Sequence, residues 1–208
     1  MTDSAPAAPA PPPSPRVRTS DRFVAYVYQV CASTQARAAL RRGLGLPVER
    51  CTYMHRYLVP WLRDHDDQHY GDVRRAYYAV AALIAARPRS ARDTTPHQDT
   101  PVSWYERPNL GASLGQAVTK GVLKENSAES ALHLMARQSS DAIHPGLPAL
   151  VRQLLSGGIP IDWAVLLEDL AWWNRSRDRI ATRWLESYFR TASTTNPALA
   201  DSAEENDR

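Results

Sequence analysis

The sequence predicts an all-α protein, and three observations carry that expectation. No segment sustains the period-two alternation of a half-buried strand. Apolar residues instead recur every three or four positions, in runs bounded by capping residues, glycines and prolines. The most ordered run, residues 158–189 (GIPIDWAVLLEDLAWWNRSRDRIATRWLESYF), holds four of the six tryptophans beside the densest group of arginines. The expected architecture is about eight helices in two small packed bundles, residues 19–90 and 110–192, with a long loop over 88–109. A disordered Pro/Ala arm over 1–18 and a disordered acidic tail over 193–208 flank this 19–192 domain.

Taken in order, residues 1–16 hold six prolines among small residues, a composition for an extended, solvated arm. Ser20-Asp21 opens a helix with Phe23, Val27 and Val30 at helical spacing. Thr34 caps a second helix, QARAALRRGL, which Gly43 and Gly45 end; in it Arg37 and Arg41 are i,i+4 neighbours with Arg42 on the flank. Like charges at that spacing repel by a few tenths of a kcal/mol. Glu49 is the first acid after Asp21, so the face reads either as solvated or as facing phosphate. Residues 47–62 look helical until Pro60 stops them. Asp72 caps a helix whose Val73, Tyr77, Val80 and Ile84 form the core face, while Arg74, Arg75 and Tyr78 point elsewhere. Arg87 follows its end, where a cation complements the helix dipole. Residues 88–109 are proline-rich without a period, hence a loop.

In the second half, Ser113-Leu114-Gly115 lacks the spacing of a phosphate loop and follows no strand. Ser127 caps a helix to Arg137 with Leu132 and Met135 in the core. A short helix over Pro148–Leu155 carries Arg152 and ends at Gly157-Gly158. Asp162 after Pro160 starts the next helix by accepting from its orphan N–H groups. Trp163, Leu166, Leu167, Leu170 and Trp173 share one face of it. Asn174 interrupts the pattern and a further helix starts near Arg175, with Ile180, Trp184 and Tyr188 as its apolar seam. On another side of that helix, Arg175, Arg179, Arg183 and Arg190 fall within about 80° of one another. Trp172 lies opposite Trp163, so one face cannot bury both; an internal layer, a subunit interface and base stacking all remain open for it.

The net charge of +3 understates the folded part, because residues 21–192 carry 22 Lys+Arg against 17 Asp+Glu while the last 16 residues carry one Arg against four acids. Of the 25 basic residues only Lys120 and Lys124 are lysine. Arginine suits phosphate because its planar fork is weakly hydrated and donates two bonds at once; a codon bias toward arginine is the plain alternative. No apolar run approaches the roughly 18 residues of a membrane span. The N-terminal residues lack the basic and apolar regions of a signal peptide, so the expected location is cytoplasmic. Cys31 and Cys51 then read as buried thiols in a reducing compartment rather than a disulfide.

Catalytic constellations are not apparent. His65-Asp66-Asp67-Gln68-His69 places two histidines at i,i+4, but it sits in a polar run after Pro60 and lacks a general base, so it reads as a solvated loop. Glu168 is as suited to pairing Arg152 or Arg175 as to donating a proton. Neither cysteine belongs to a nucleophile motif. The expectation is a protein that is not an enzyme and holds no cofactor or metal.

The run RAALRRGLG (37–45), the helix AYYAVAALIAA (76–86), ASLGQAV (112–118) and above all GIPIDWAVLLEDLAWW (158–173), followed by a basic helix ending WLESYF, together resemble a known family. It is the small subunit of the type I-E CRISPR surveillance complex Cascade, the CasB family, and the resemblance spans residues 21–190 outside the 88–109 loop. It implies an all-α, non-catalytic protein present as two copies in one RNA-guided complex. The implied partners are the complex's backbone and large subunits, guide RNA and target DNA, without a membrane. A basic face would help hold DNA strands when the guide pairs with its target. Residue by residue, Arg41 and Arg42 match a basic pair of the family's second helix, Arg152 a basic residue before the Asp-Trp helix, and Arg175 the one after the Trp pair. Gln116 stands where some members have arginine. Arg137 is displaced by one position, a rotation of about 100°; Lys120 or Arg137 would compensate. The candidate nucleic-acid residues are thus Arg37, Arg41, Arg42, Lys120, Arg137, Arg152, Arg175, Arg177, Arg179 and Arg183. A purely structural adaptor without DNA contact is the competing expectation.

Overall fold

Helices α1 (Thr19–Ala32), α2 (Thr34–Arg41) and α4 (Tyr70–Ala85) pack with α8 (Trp163–Ala171), while α9 (Trp173–Ser193) lies along α5 (Leu110–Thr119) and α6 (Glu125–Arg137). The remaining helices are the four-residue α3 (His55–Leu58) and α7 (Ser140–Ser156). These come from a computed structural model that describes residues 18–62, 70–88, 91 and 103–193. Among the described residues every regular element is helical. Residues 1–17 of the arm, residues 194–208 of the tail, most of the 88–109 loop and the His65–His69 cluster lie outside them.

The buried side chains form one cluster that runs from Phe23 on α1 to Tyr188 on α9. Its centre is α8, where Asp162 Oδ1 caps the start by accepting from the Ala164 and Val165 N–H groups. All five residues assigned to the apolar face, from Trp163 to Trp173, are buried, and so are Val165 and Asp169 on other sides. The helix is therefore enclosed nearly all round. Arg107 locks its entrance: Nε and Nη2 donate to the two Asp162 oxygens at 2.6 and 2.8 Å, and Nη1 donates to Asp21 at 2.8 Å. A single guanidinium thus ties the first turn of α1 to the cap of α8.

Several local expectations change. Ser33 rather than Thr34 caps α2, its hydroxyl accepting from Ala36 N–H. On α1 Val24 is buried and Val30 only partly so. Residues 48–61 are short 3-10 turns around α3 instead of a continuous helix, because Pro47 and Pro60 interrupt the ladder. Tyr78 does not point outward: it is buried, and its hydroxyl shares a 2.8 Å hydrogen bond with His55 Nδ1. Asp72 sits inside the first turn of α4 and accepts from Asn174 Nδ2. Helix α6 starts two residues early, with Lys124 at its cap and Glu125 in the first turn, where an acid complements the dipole.

The helix expected over Pro148–Leu155 extends back to Ser140 despite containing Pro145 and Pro148. Each proline removes one backbone donor, yet Ile143, Leu147, Val151 and Leu154 stay buried in register, and that packing outweighs the missing bonds. His144 is buried on the same helix, with both ring nitrogens lacking a partner among the described residues. Burial, and then the nearby Arg75 cation, lower its pKa from 6.5 to about 3. Arg75 pairs with Asp141 on the same helix as His144 and with Asp72 on its own. A depressed folded pKa means stability that is complete above the unfolded value and lost as pH falls toward the folded one. Thermal unfolding should therefore show a loss of about 2–3 kcal/mol between pH 7 and 4.5. The H144L variant should lack that component, which a Tm series over this range checks.

Candidate nucleic-acid interface

Most of the predicted arginines lie near the end of α2 or near the α8–α9 junction. At the end of α2, Arg41 and Arg42 are exposed, and Arg37 is half-buried one turn earlier. The Leu44 N–H donates to Arg41 O in the turn that follows. Leu44 also lines an apolar groove of about 290 Å³ whose opposite wall is α7, including Arg152. Arg152 thus lines the same groove as Leu44, the second residue after the Arg41-Arg42 pair, although more than a hundred positions separate them.

The second place is where the α6–α7 turn meets the α8–α9 junction. The Trp173 indole N–H donates to Gln138 O at 2.9 Å, and the Ser140 N–H donates to Asn174 Oδ1 at 2.9 Å. Those two bonds join the segment that follows Arg137 to the segment that precedes Arg175 and Arg177. In the first turns of α4, the Arg74 guanidinium lies 5.9 Å from the Tyr70 and Tyr78 rings, and Tyr78 is tied to His55 by its hydrogen bond.

Three predicted residues are placed differently from the rest. Helix α9 begins at Trp173 and is broken at Ser176 (φ −137°, ψ 28°), which takes Arg175 out of phase with Arg179 and Arg190. The Arg175 guanidinium instead sits 5.7 Å from the Trp172 ring. Arg183 turns inward to the carboxylate of Asp169, which also accepts from the Trp184 indole N–H at 2.7 Å. Burial pushes the Asp169 carboxyl up, against the opposing pull of Arg183 and the indole. Arg183 is committed to that pair and serves the core. Lys120 ends α5, two residues before Val122; a Cβ on Gly157, at the end of α7, would meet Val122. It therefore lies at the opposite end of α7 from Arg137.

Charge availability separates these residues further. Arg41, Arg42, Arg137, Arg152 and Arg179 are exposed or half-buried and meet no carboxylate within ion-pair distance among the described residues. Among the described residues Arg177 pairs only with its exposed neighbour Asp178. Glu168, considered above for Arg152 or Arg175, goes instead to the other end of the chain, accepting from Ser20 Oγ at 2.7 Å and pairing with Arg18 at 3.4 Å. Trp172 is 45% exposed, so the internal-layer reading falls. Cys31 and Cys51 are buried and unbridged.

Sequence reasoning passed over Tyr53 and Arg56. Tyr53 is 60% exposed, with the Arg42 guanidinium 5.0 Å from its ring centre, and Arg56 stands 5.3 Å from the Tyr57 ring. The signal available was the arginine-tyrosine alternation of TYMHRY (52–57), obscured by the expectation of an ordinary helix there. Among the described residues no group of three His, Cys, Asp or Glu side chains could hold a metal ion, and no helix is long and apolar enough to cross a membrane.

What the described residues define is an all-helical scaffold that turns arginines outward and keeps Asp169 within. The chain belongs to the CRISPR-associated Cse2 family, also called CasB, of type I-E systems: the family's model matches residues 36–189. A CRISPR-associated protein Cse2 of Thermus thermophilus is 30% identical over 158 residues, covering 76% of this chain and 80% of that protein. A chain of a CRISPR RNA-guided surveillance complex is 40% identical with a TM-score of 0.73, covering 89% of this chain and 97% of that one. The CasB crystal structure of M. ruber is 27% identical with a TM-score of 0.66, over 86% of this chain and 97% of that one.

Proposed function

We propose that this chain is a non-catalytic subunit of an RNA-guided type I-E CRISPR interference complex, where it binds nucleic acid without reading sequence. Its basic face would stabilise the DNA strands opened when guide RNA pairs with its target. The observation that carries this reading is a set of exposed arginines, Arg41, Arg42 and Arg152, that meet no carboxylate partner among the described residues; Arg152 lines the same groove as Leu44, which follows the Arg41-Arg42 pair. Arg137, Arg175 and Arg177 add to the set near the α8–α9 junction. The similarity to a chain of a CRISPR RNA-guided surveillance complex supports assembly with other subunits and RNA; within it the proposed partners are the backbone and large subunits, guide RNA, target DNA and a second copy of this chain.

The physical logic is consistent. Exchanging a DNA duplex for a guide–target heteroduplex is nearly balanced in free energy, so backbone contacts can tip it. Contacts to phosphate carry no sequence information, as a complex that must accept any target requires. Reversing Arg41, Arg42 and Arg175 to Glu should abolish binding of single-stranded DNA by the isolated protein and weaken DNA binding by the assembled complex. The helical circular-dichroism spectrum should be unchanged. Removing one arginine–phosphate pairing to a single strand should flatten the log–log salt dependence by about 0.7. Unchanged affinity at low salt would overturn the assignment in favour of an adaptor that meets only protein.

A further inference from the structure

Helix α2 and the turn leading into α3 enclose a groove of about 410 Å³, with Ala38, Ala39 and Arg42 on one wall and Tyr53, Arg56 and Tyr57 on the other. Among the described residues no acidic side chain lines the groove, and two guanidiniums flank two phenol rings. The Tyr57 backbone is anchored, since its carbonyl accepts from the Tyr26 hydroxyl at 3.0 Å. Tyr53 is held less by packing than by Arg42, whose guanidinium lies 5.0 Å from the ring centre and leaves the phenol 60% exposed. A tyrosine with a cation toward its ring and solvent around it is a prepared stacking platform.

We propose that this groove is a base-stacking subsite for one unpaired nucleotide of a single-stranded nucleic acid. The base stacks on the exposed face of Tyr53 while Arg42 and Arg56 meet its flanking phosphates. The inference rests on the nucleic-acid reading above and adds to it an aromatic contact that phosphate binding does not need. Charge complementarity selects the occupant: the rim is cationic, the wall is aromatic, and a nucleotide is an anion with a flat π-face. A base-tolerant platform also fits a protein that must not select sequence, since every base offers a face to stack.

The test compares a thymidine oligonucleotide with an oligonucleotide of equal phosphate count that carries abasic sites, each titrated by fluorescence anisotropy against the full chain. The wild-type protein should bind the base-bearing strand more tightly, and Y53A should lose roughly 5- to 150-fold on that strand. Y53A should barely change on the abasic strand, whereas Y53F, which keeps the ring, should behave as wild type. The circular-dichroism spectrum of Y53A verifies that the fold is intact. Equal losses on both strands would reduce Tyr53 to a support for Arg42 and overturn the proposal. No loss on either would hand the groove to a protein partner and overturn it equally. If the wild-type chain binds neither strand at low salt, the broader nucleic-acid reading fails. Binding both strands alike sinks only the stacking site.

Discussion

The G111A variant should be strongly destabilised, by about 3 kcal/mol or more, at the upper end of the usual cost of overpacking. On propensity alone the substitution is favourable, although at the second position of α5 the gain of alanine over glycine falls short of the roughly 1 kcal/mol of a helix interior. Packing reverses the sign. A Cβ built on Gly111 would overlap the Trp184 carbonyl oxygen and lie 2.8 Å from the Trp184 Cα, and those are backbone atoms that cannot rotate away. One turn on, a Cβ on Gly115 would come within 2.8 Å of the Tyr188 carbonyl oxygen. The two glycines let α5 lie directly on the backbone of α9. A methyl group at either point would separate the helices and loosen the seat of Trp184 and Tyr188, both buried to 1% exposure or less. For a domain of this size a Tm lower by about 10 °C is the readout, at roughly 2–4 °C per kcal/mol. Gly146, inside α7 with nothing within 4 Å of a built Cβ, is the matched control. G146A should raise stability by about 0.5–1 kcal/mol. Equal Tm shifts in the two variants would refute the close helix contact.

The second large effect concerns Asp169. The residue is 4% exposed, and its carboxylate is the acceptor for both the Arg183 guanidinium and the Trp184 indole N–H. The D169A change leaves an indole N–H without a partner in the core and strands a cation whose Nε already lacks one among the described residues. Removing one member of a buried ion pair costs about 3–5 kcal/mol. The lower end applies here, because the Arg183 side chain is 36% exposed and can turn toward water. D169N keeps an acceptor and should lose less. The double change D169L/R183M, which removes both charges and fills the space, should recover much of the loss. Chemical denaturation of the three variants measures this directly. If the double variant is as unstable as D169A, the pair is not what holds α8 to α9.

Much of this protein is legible in its residues taken one stretch at a time. The helical class, the Asp162 cap, the apolar face of α8 and the Ile180–Trp184–Tyr188 seam all follow from spacing and capping chemistry. These are interactions between neighbours in the chain, and a helix repeats its geometry every few residues. The family too is written there, because five short runs occur in one order. Local rules fail where they meet a proline or a long-range partner. The helix expected to begin at Pro148 starts at Ser140 instead, because buried Ile143 and Leu147 hold the earlier turns in helix despite Pro145. Glu168 pairs with Ser20 and Arg18, nearly 150 residues away, rather than with the arginines next to its own helix.

The arginines show the division most clearly. Composition determined that the folded part is basic, and periodicity determined which arginines leave the core faces. Neither could determine which cations stay available. Arg183 and Arg179 are one helical turn apart and look equivalent on a helical wheel, yet one enters a buried carboxylate and the other stays exposed. Likewise, only packing sets Arg152 across a groove from Leu44 and brings Tyr53 under Arg42. The physical reason is one of range. Secondary structure answers to forces within a few residues, whereas a binding surface is the sum of side chains that meet only after the helices have docked.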